Sequence, residues 1–585
     1  MRTLLVGTAL AVTMATAAGM AQTGQIKDFV PVTQDMLLKP SPDDWMMFSR
    51  TYDAQRFSPL TQISKQNVGQ LRMAWTRGLA AGGQETTPIV YRGVMYVVTP
   101  AATVQALDAT TGDLIWEYKR PGASGGGNTK TIAIYDDMVF YEAPGNAIVA
   151  LDARTGQMRW DAKVDQRSHA GGVITVDGKV ISNGSCSRRP SCYISAHDTK
   201  TGNVVWKFMT AAGPGDPGDG TWGKLELDKR VASPWGMPGS YDPVRKMLVW
   251  GVANPVPFTR LERHGSVNAV SKVAPAELYS NSTLGINVDT GKLQWYYQYL
   301  PGDDWDLDGN QERVLLRTPV SPDPKFVKWI NPRIPKGEVR DVSFNITEGG
   351  GMWVLDRGTG QFLWATPFPF DTPNFYLQDI DIETGRTIIN EKMLVSEFPG
   401  ARKTVCYWNT KSYWASAYDA RKNFLYAPYI DNCLDMSSPA PAANGQPAKP
   451  QRRVGQLRPN GDSAVASGLA RINMATGEIT RWQTSQVPTN GSVLLTAGDL
   501  IFWGDLNRRF RAYDIDSGKV LWESILGGTI TASTITYAVN GKQYVAVLTG
   551  STAVDEPLVS GHMAPVKPNI GSNFKHNAIY VFALP

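Results

Sequence analysis

The stretch ALDATTGDLIW, residues 106–116, decides the fold because it returns. ALDARTGQMRW (150–160), AHDTKTGNVVW (196–206), VLDRGTGQFLW (354–364) and AYDIDSGKVLW (512–522) repeat its pattern, and in each copy an Asp precedes a Trp by eight positions. Weaker copies, INVDTGKLQW and INMATGEITRW, end at Trp295 and Trp482. Each copy predicts strand, tight turn, strand. Asp bonds the backbone two residues on and Gly supplies a positive φ, while the flanking apolar and β-branched residues suit strands. Asp108, Asp152 and Asp198 recur 44 and then 46 positions apart. That is the length of one four-stranded propeller blade. The expected fold is therefore all-β, an eight-bladed β-propeller with tryptophan-docking repeats. Radial repetition hides the sheet edges, and the indole at a fixed position packs blade on blade. These Trp residues are scaffold and carry no chemistry.

The chain has 585 residues, which one eight-bladed propeller uses up. The expected organisation is a signal peptide over residues 1–21 followed by a single propeller domain over 22–585. Arg2, an apolar stretch from Thr3 to Ala18 and the small residues up to Ala21 read as a secretory signal, too short for a membrane anchor. No membrane span is expected after its cleavage, and the expected compartment is the periplasm. The most linker-like stretch, Ser437 to Gly455, reads as a long surface loop. A formal charge of +5, not gathered in runs, argues against nucleic-acid binding. Five His without ligand spacing argue against zinc. The four Cys fit an oxidising compartment; three connectivities exist, and the local one, Cys186–Cys192 with Cys406–Cys433, is expected. No Cys-x-x-Cys-His motif for covalent haem occurs.

Together with five further segments, the repeats resemble the pyrroloquinoline-quinone (PQQ) alcohol dehydrogenases, over the chain from about Trp45 to the C-terminal AIYVFALP. The resemblance implies PQQ, one metal ion (Ca²⁺ or a lanthanide) and an alcohol substrate. In PGDDWDLDG (301–309) it makes Asp306 the catalytic carboxylate and a metal ligand. A carboxylate beside a cation and a quinone is suited to taking the hydroxyl proton while hydride leaves. In GVANPVPF (251–258) it makes Asn254 a ligand of the metal beside the cofactor, a side-chain carbonyl suiting a hard cation. In PWGMPGSYDP (234–243) it makes Trp235 the floor beneath the flat cofactor. In QETTPIV and NTKTIAIY it implies that Glu85 and Lys130 bind the cofactor, Lys130 standing where the family usually has Arg.

The sequence departs from the family in three places. No Asp or Glu lies between Lys179 and Asp198, where a metal-binding Glu is expected; Cys186 or Ser187 falls near that slot. Asp308, two residues after Asp306, either replaces it or marks a lanthanide site. Glu348 stands where the family has a Lys or Arg contacting the quinone, with Lys411 the candidate substitute; Glu348 is left out of the catalytic set. Ser124 to Gly127 replace the adjacent cysteines that cover the cofactor in methanol dehydrogenases, and Tyr413 precedes Trp414 where relatives show Asn-Trp. An open cavity and a substrate bulkier than methanol follow, such as a secondary alcohol or a sugar-like polyol. Electrons are expected to pass to an external cytochrome c. The alternative is a non-catalytic propeller scaffold of the outer-membrane assembly type, which has no need for Glu85, Trp235, Asn254 and Asp306 on one axis.

Overall fold

A computed structural model of the chain describes residues 24–122, 129–166, 171–395, 402–437, 451–552 and 576–585. The expected signal peptide and the segment Ser124 to Gly127 lie outside the described residues. Eight four- or five-stranded sheets make the blades. In the first, Ile89–Tyr91, Val94–Val98, Thr103–Asp108 and Leu114–Lys119 pair antiparallel in chain order. Six more blades follow between Ile132 and Ile525. The eighth takes three strands from the C-terminal segment, a short parallel one at Asn490–Gly491, and its outermost, Arg72–Gly78, from near the N-terminus, pairing with Ala578–Ala583. That pairing of an N-terminal with a C-terminal strand closes the ring.

Each repeat does what its residues predict. Asp108 Oδ1 accepts from the Thr110 backbone N–H at 2.7 Å, and Gly112 sits at φ +78° with its N–H donating to the Asp108 carbonyl at 2.8 Å. The Trp of one blade then covers the Gly of the next. A Cβ on Gly112, Gly156, Gly202, Gly291 or Gly360 would stand 2.4–2.8 Å from Trp75, Trp116, Trp160, Trp206 or Trp295. Four of these indoles also donate to a backbone carbonyl of the next blade, Trp116 to Ala153 at 3.0 Å for example. A glycine is required there both for its backbone angle and for the indole above it. The bulge pairing Ala106 with Trp116 but Leu107 with Leu114 turns the indole towards the neighbouring blade.

Insertions between blade strands include a three-stranded sheet of Arg402–Cys406, Cys433–Ser437 and Gln451–Gln456. The end of the predicted surface loop 437–455 is thus a strand. Its Pro, Ala and Gly content pointed to loop, but its last residues, from Gln451, pair with Cys433–Ser437, and Arg453 and Arg402 both meet Asp435. The disulfides join Cys186 to Cys192 and Cys406 to Cys433, the local connectivity expected. Among the described residues no helix is long and apolar enough to cross a membrane.

Candidate cofactor site

The loop Pro301 to Gly309 links the fourth and fifth blades, and its four acidic residues divide the work. Asp303 folds the loop: Oδ1 accepts from the N–H groups of Trp305 (2.7 Å) and Asp306 (3.2 Å), and Oδ2 from Leu307 N–H at 2.6 Å. Asp304 ties the loop to its surroundings through the N–H groups of Arg260 and Val395. That leaves Asp306 and Asp308 to face a cavity of about 410 Å³. Asp306 is held at φ +72°, a conformation non-glycine residues rarely adopt, and its carbonyl accepts from the Trp408 indole at 3.1 Å. Such strain persists only where the surroundings fix it, and it clusters at functional sites.

All the residues expected to act together line this cavity: Glu85, Lys130, Trp235, Asn254, Asp306 and Asp308. They come from separate segments scattered over the chain. Lys130 and Glu85 form a buried ion pair, and the Lys130 ammonium lies 5.7 Å from the Trp235 ring centre and 4.3 Å from that of Tyr413. Trp235 is fixed through its carbonyl, which accepts from Asn310 Nδ2 at 2.6 Å. Asn254 reaches both aspartates: its side-chain amide donates to Asp306 Oδ1 at 2.7 Å and its backbone N–H to Asp308 Oδ1 at 3.1 Å. Ser185, Cys186, Ser233, Phe258, Trp408, Asn409 and Tyr413 are also in the wall.

Two residues were placed differently by the sequence. Lys411, the expected substitute cation, does not line the cavity; it is buried against Glu312 at 2.7 Å. Glu348 does line it, beside Asp308. Its backbone N–H bonds the Asp308 carbonyl at 3.0 Å, which carries the side chain to the acidic side of the cavity. A third residue was missed: Arg452 donates from Nη1 to Asp306 Oδ2 at 2.9 Å. Only the pairing of its strand, invisible in a Pro- and Ala-rich stretch, brings it there.

Burial raises the pKa of Asp306, against the pull of Arg452 and Asn254. Burial, followed by the charge of Asp306, pushes Asp308 well above the usual carboxylate range; burial and then Asp308 do the same to Glu348. Three carboxyl groups crowded out of water in this way are held in check by protons or by a cation. Among the described residues, no three His, Cys, Asp or Glu side chains already stand at ligand distances from one point.

Residues 45–133, 167–368 and 462–545 match the family described as glucose/ethanol/alcohol dehydrogenase, beta-propeller domain, under the heading PQQ. The quinohemoprotein alcohol dehydrogenase ADH-IIG of Pseudomonas putida is 32% identical over 583 residues, covering 93% of this chain and 77% of that protein. The quinoprotein alcohol dehydrogenase PedE of Pseudomonas putida is 28% identical over 639 residues, covering 100% of this chain and 96% of that protein. A solved europium-containing methanol dehydrogenase superposes with a TM-score of 0.80 at 26% identity, covering 94% of this chain and 100% of its own. With a family match over more than half its length, these relatives and a ring of eight blades around the cavity, the chain belongs to the PQQ-dependent alcohol dehydrogenases.

Proposed function

We propose that the protein oxidises an alcohol in the cavity between Trp235 and Asp306, with PQQ as hydride acceptor and one metal ion. The observation that carries this reading is the convergence on one cavity of an indole, a buried Lys–Glu pair and an acidic pole of oxygen donors. The lining fits both groups. Trp235 offers aromatic surface for a fused quinone, and Lys130 with Glu85 offers charge-assisted hydrogen bonds to its carboxylates and amide-like edge. The amide nitrogen of Asn409 is buried in the lining with no partner among the described residues, a donor suited to a bound acceptor. Asn254, Asp306, Asp308 and Glu348 would hold the metal, all through the hard oxygen donors that Ca²⁺ or a lanthanide prefers. Glu348 supplies the carboxylate missing between Lys179 and Asp198. Three carboxylates favour a trivalent ion over Ca²⁺ by simple electrostatics.

When bound, PQQ supplies the electron-accepting quinone and the metal a Lewis acid. Asp306 takes the proton of the substrate hydroxyl. Asn254 fixes one oxygen of that carboxylate, and the Trp408 indole holds the backbone carrying it. Phe258 and Trp408, whose rings flank Arg452 beside Asp306, give the cavity an aromatic wall there, which supports a bulky or secondary alcohol, or a sugar-like polyol, over methanol. Two disulfides support a periplasmic location, where a cytochrome c would take the electrons.

Tryptophan fluorescence tests the reading directly. PQQ added with a metal ion will quench the wild-type protein, and Trp235→Ala will weaken the quench at least tenfold. An unquenched wild type, with and without metal, would end the proposal.

A further inference from the structure

We propose that Arg452 is a positioning residue for Asp306, carried to it by the strand Gln451–Gln456. The inference rests on the reading of Asp306 as the base. Among the described residues, Arg452 is the one basic side chain bonded to Asp306.

The guanidinium spans two consecutive residues of the catalytic loop. Nη1 donates to Asp306 Oδ2 at 2.9 Å, and Nη2 to the Trp305 carbonyl at 3.2 Å. One planar group thus fixes a carboxylate oxygen relative to the backbone that carries it, which a Lys cannot do. Asn254 holds the opposite oxygen, Oδ1. The two contacts leave the carboxylate no free rotation, the condition for a base that must meet a hydroxyl proton at hydrogen-bond distance.

The guanidinium is itself clamped. Its carbon lies 5.0 Å from the Phe258 ring centre and 5.3 Å from that of Trp408, and both rings line the cavity. Its Nε is buried and bonds nothing among the described residues, so their contacts do not use all of its donors. Leaving a buried donor unpaired is costly for a merely structural arginine. The neighbour Arg453 does the structural work of the strand, bonding Asp435 at 2.9 Å while largely exposed. Positive charge that the sequence leads one to seek at position 348 therefore arrives from another segment, while Glu348 sits with Asp308.

The test compares Arg452→Ala, Arg452→Lys and Arg453→Ala with the wild type, each checked for its melting temperature and for fluorescence quenching by PQQ. A wild type inactive with PQQ would refute the proposed function itself; the variants are read against an active wild type. Arg452→Ala will lose about 100-fold in kcat with KM changed less than threefold, the scale of loss that a misplaced catalytic group brings. Added guanidinium ion will restore at least tenfold of that loss, and Arg453→Ala will stay within threefold of the wild type. Should Arg452→Ala fail to fold, Arg452→Lys will carry the kcat loss. A readout without turnover is lanthanum binding to the cofactor-free protein by calorimetry. Arg452→Gln will bind at least fivefold more tightly, because a cation competing for Asp306 has gone, and Arg453→Ala will not. A folded Arg452 variant with wild-type kcat, a loss shared equally by Arg453→Ala, an absence of guanidinium rescue, or unchanged lanthanum affinity would each overturn the proposal.

Discussion

The side-chain amide of Asn254 donates to Asp306 Oδ1 at 2.7 Å across 52 positions of chain, joining the end of a fourth-blade strand to the loop that leaves that blade. With this contact in place, Asp306→Asn will keep the shape of the site and remove the base. The expected loss in kcat is about 10³-fold, within the range for general-base catalysis, with PQQ quenching intact. Steady-state kinetics of the variant check it, and a loss of under tenfold would exclude Asp306 from proton transfer.

Metal uptake by the cofactor-free protein will release protons. Burial raises Asp308 and Glu348 well above the carboxylate range in the folded, metal-free state. Folding with raised pKa values is favoured below the ordinary carboxylate range and disfavoured as pH rises, so metal-free protein will be destabilised at neutral pH. An ion among the carboxylates reverses this. Calorimetry in buffers of different ionisation enthalpy will register the released protons, and the stabilisation given by lanthanum will shrink as pH falls. Binding with no proton release would contradict the account.

Glu348→Gln removes one negative charge from the acidic pole. The expected result is a fall in the preference for La³⁺ over Ca²⁺ of at least tenfold, or about 1.4 kcal/mol. Competition titrations measure it, and an unchanged preference would place Glu348 outside the metal site.

Two alanine substitutions separate blade docking from backbone strain. Gly360 has φ +71°, and a Cβ there would lie 2.4 Å from Trp295; Gly541 has φ +76° and no atom within 4 Å. Both variants bear the left-handed strain, about 1–2 kcal/mol. Only Gly360→Ala also collides with the indole, adding about 1–3 kcal/mol. Denaturant unfolding should therefore rank Gly360→Ala clearly below Gly541→Ala, and equal stability would deny the Trp295 contact its part in packing the blades.

The chain also carries an acid-sensitive ion cluster behind the cavity lining, where Arg263 donates to the Asp303 carbonyl at 2.6 Å. Glu277 is fully buried, yet although burial opposes it, the charge of Arg263 and hydrogen bonds from His264 and Arg263 bring it down to about 2. A folded pKa below the unfolded one gives stability that is present above the ordinary glutamate range and lost as pH falls towards 2. The contribution is about 3 kcal/mol by linkage. Unfolding free energies measured down this range will fall more steeply for the wild type than for Glu277→Gln; parallel profiles would assign the acid sensitivity elsewhere.

Much of this was legible in the sequence, for physical reasons. The Asp-x-x-Thr-Gly turn and the Trp after it act within a few residues of each other, so the repeat reports each blade locally. Asp306, Asn254 and Trp235 sit in segments whose spacing preserves their resemblance. Glu348 and Arg452 escaped because their meaning depends on contacts between distant segments. Glu348 reads as a misplaced charge until its backbone bond to Asp308 is known. Arg452 lies at the end of a Pro- and Ala-rich stretch whose composition hides a strand paired to Cys433–Ser437. Asp303 and Asp304 illustrate the converse: four acidic residues within six positions look alike, and only their backbone partners separate the two that shape the loop from the two that face the cavity.

The most direct test is dye-linked oxidation by the cofactor-free protein, supplied with PQQ together with La³⁺, with Ca²⁺ or with no metal, against alcohols from methanol to secondary alcohols and polyols. The account predicts dye reduction only with PQQ, faster with La³⁺ than with Ca²⁺, and a preference for the larger alcohols. Dye reduction independent of PQQ, or none under any condition, would contradict it.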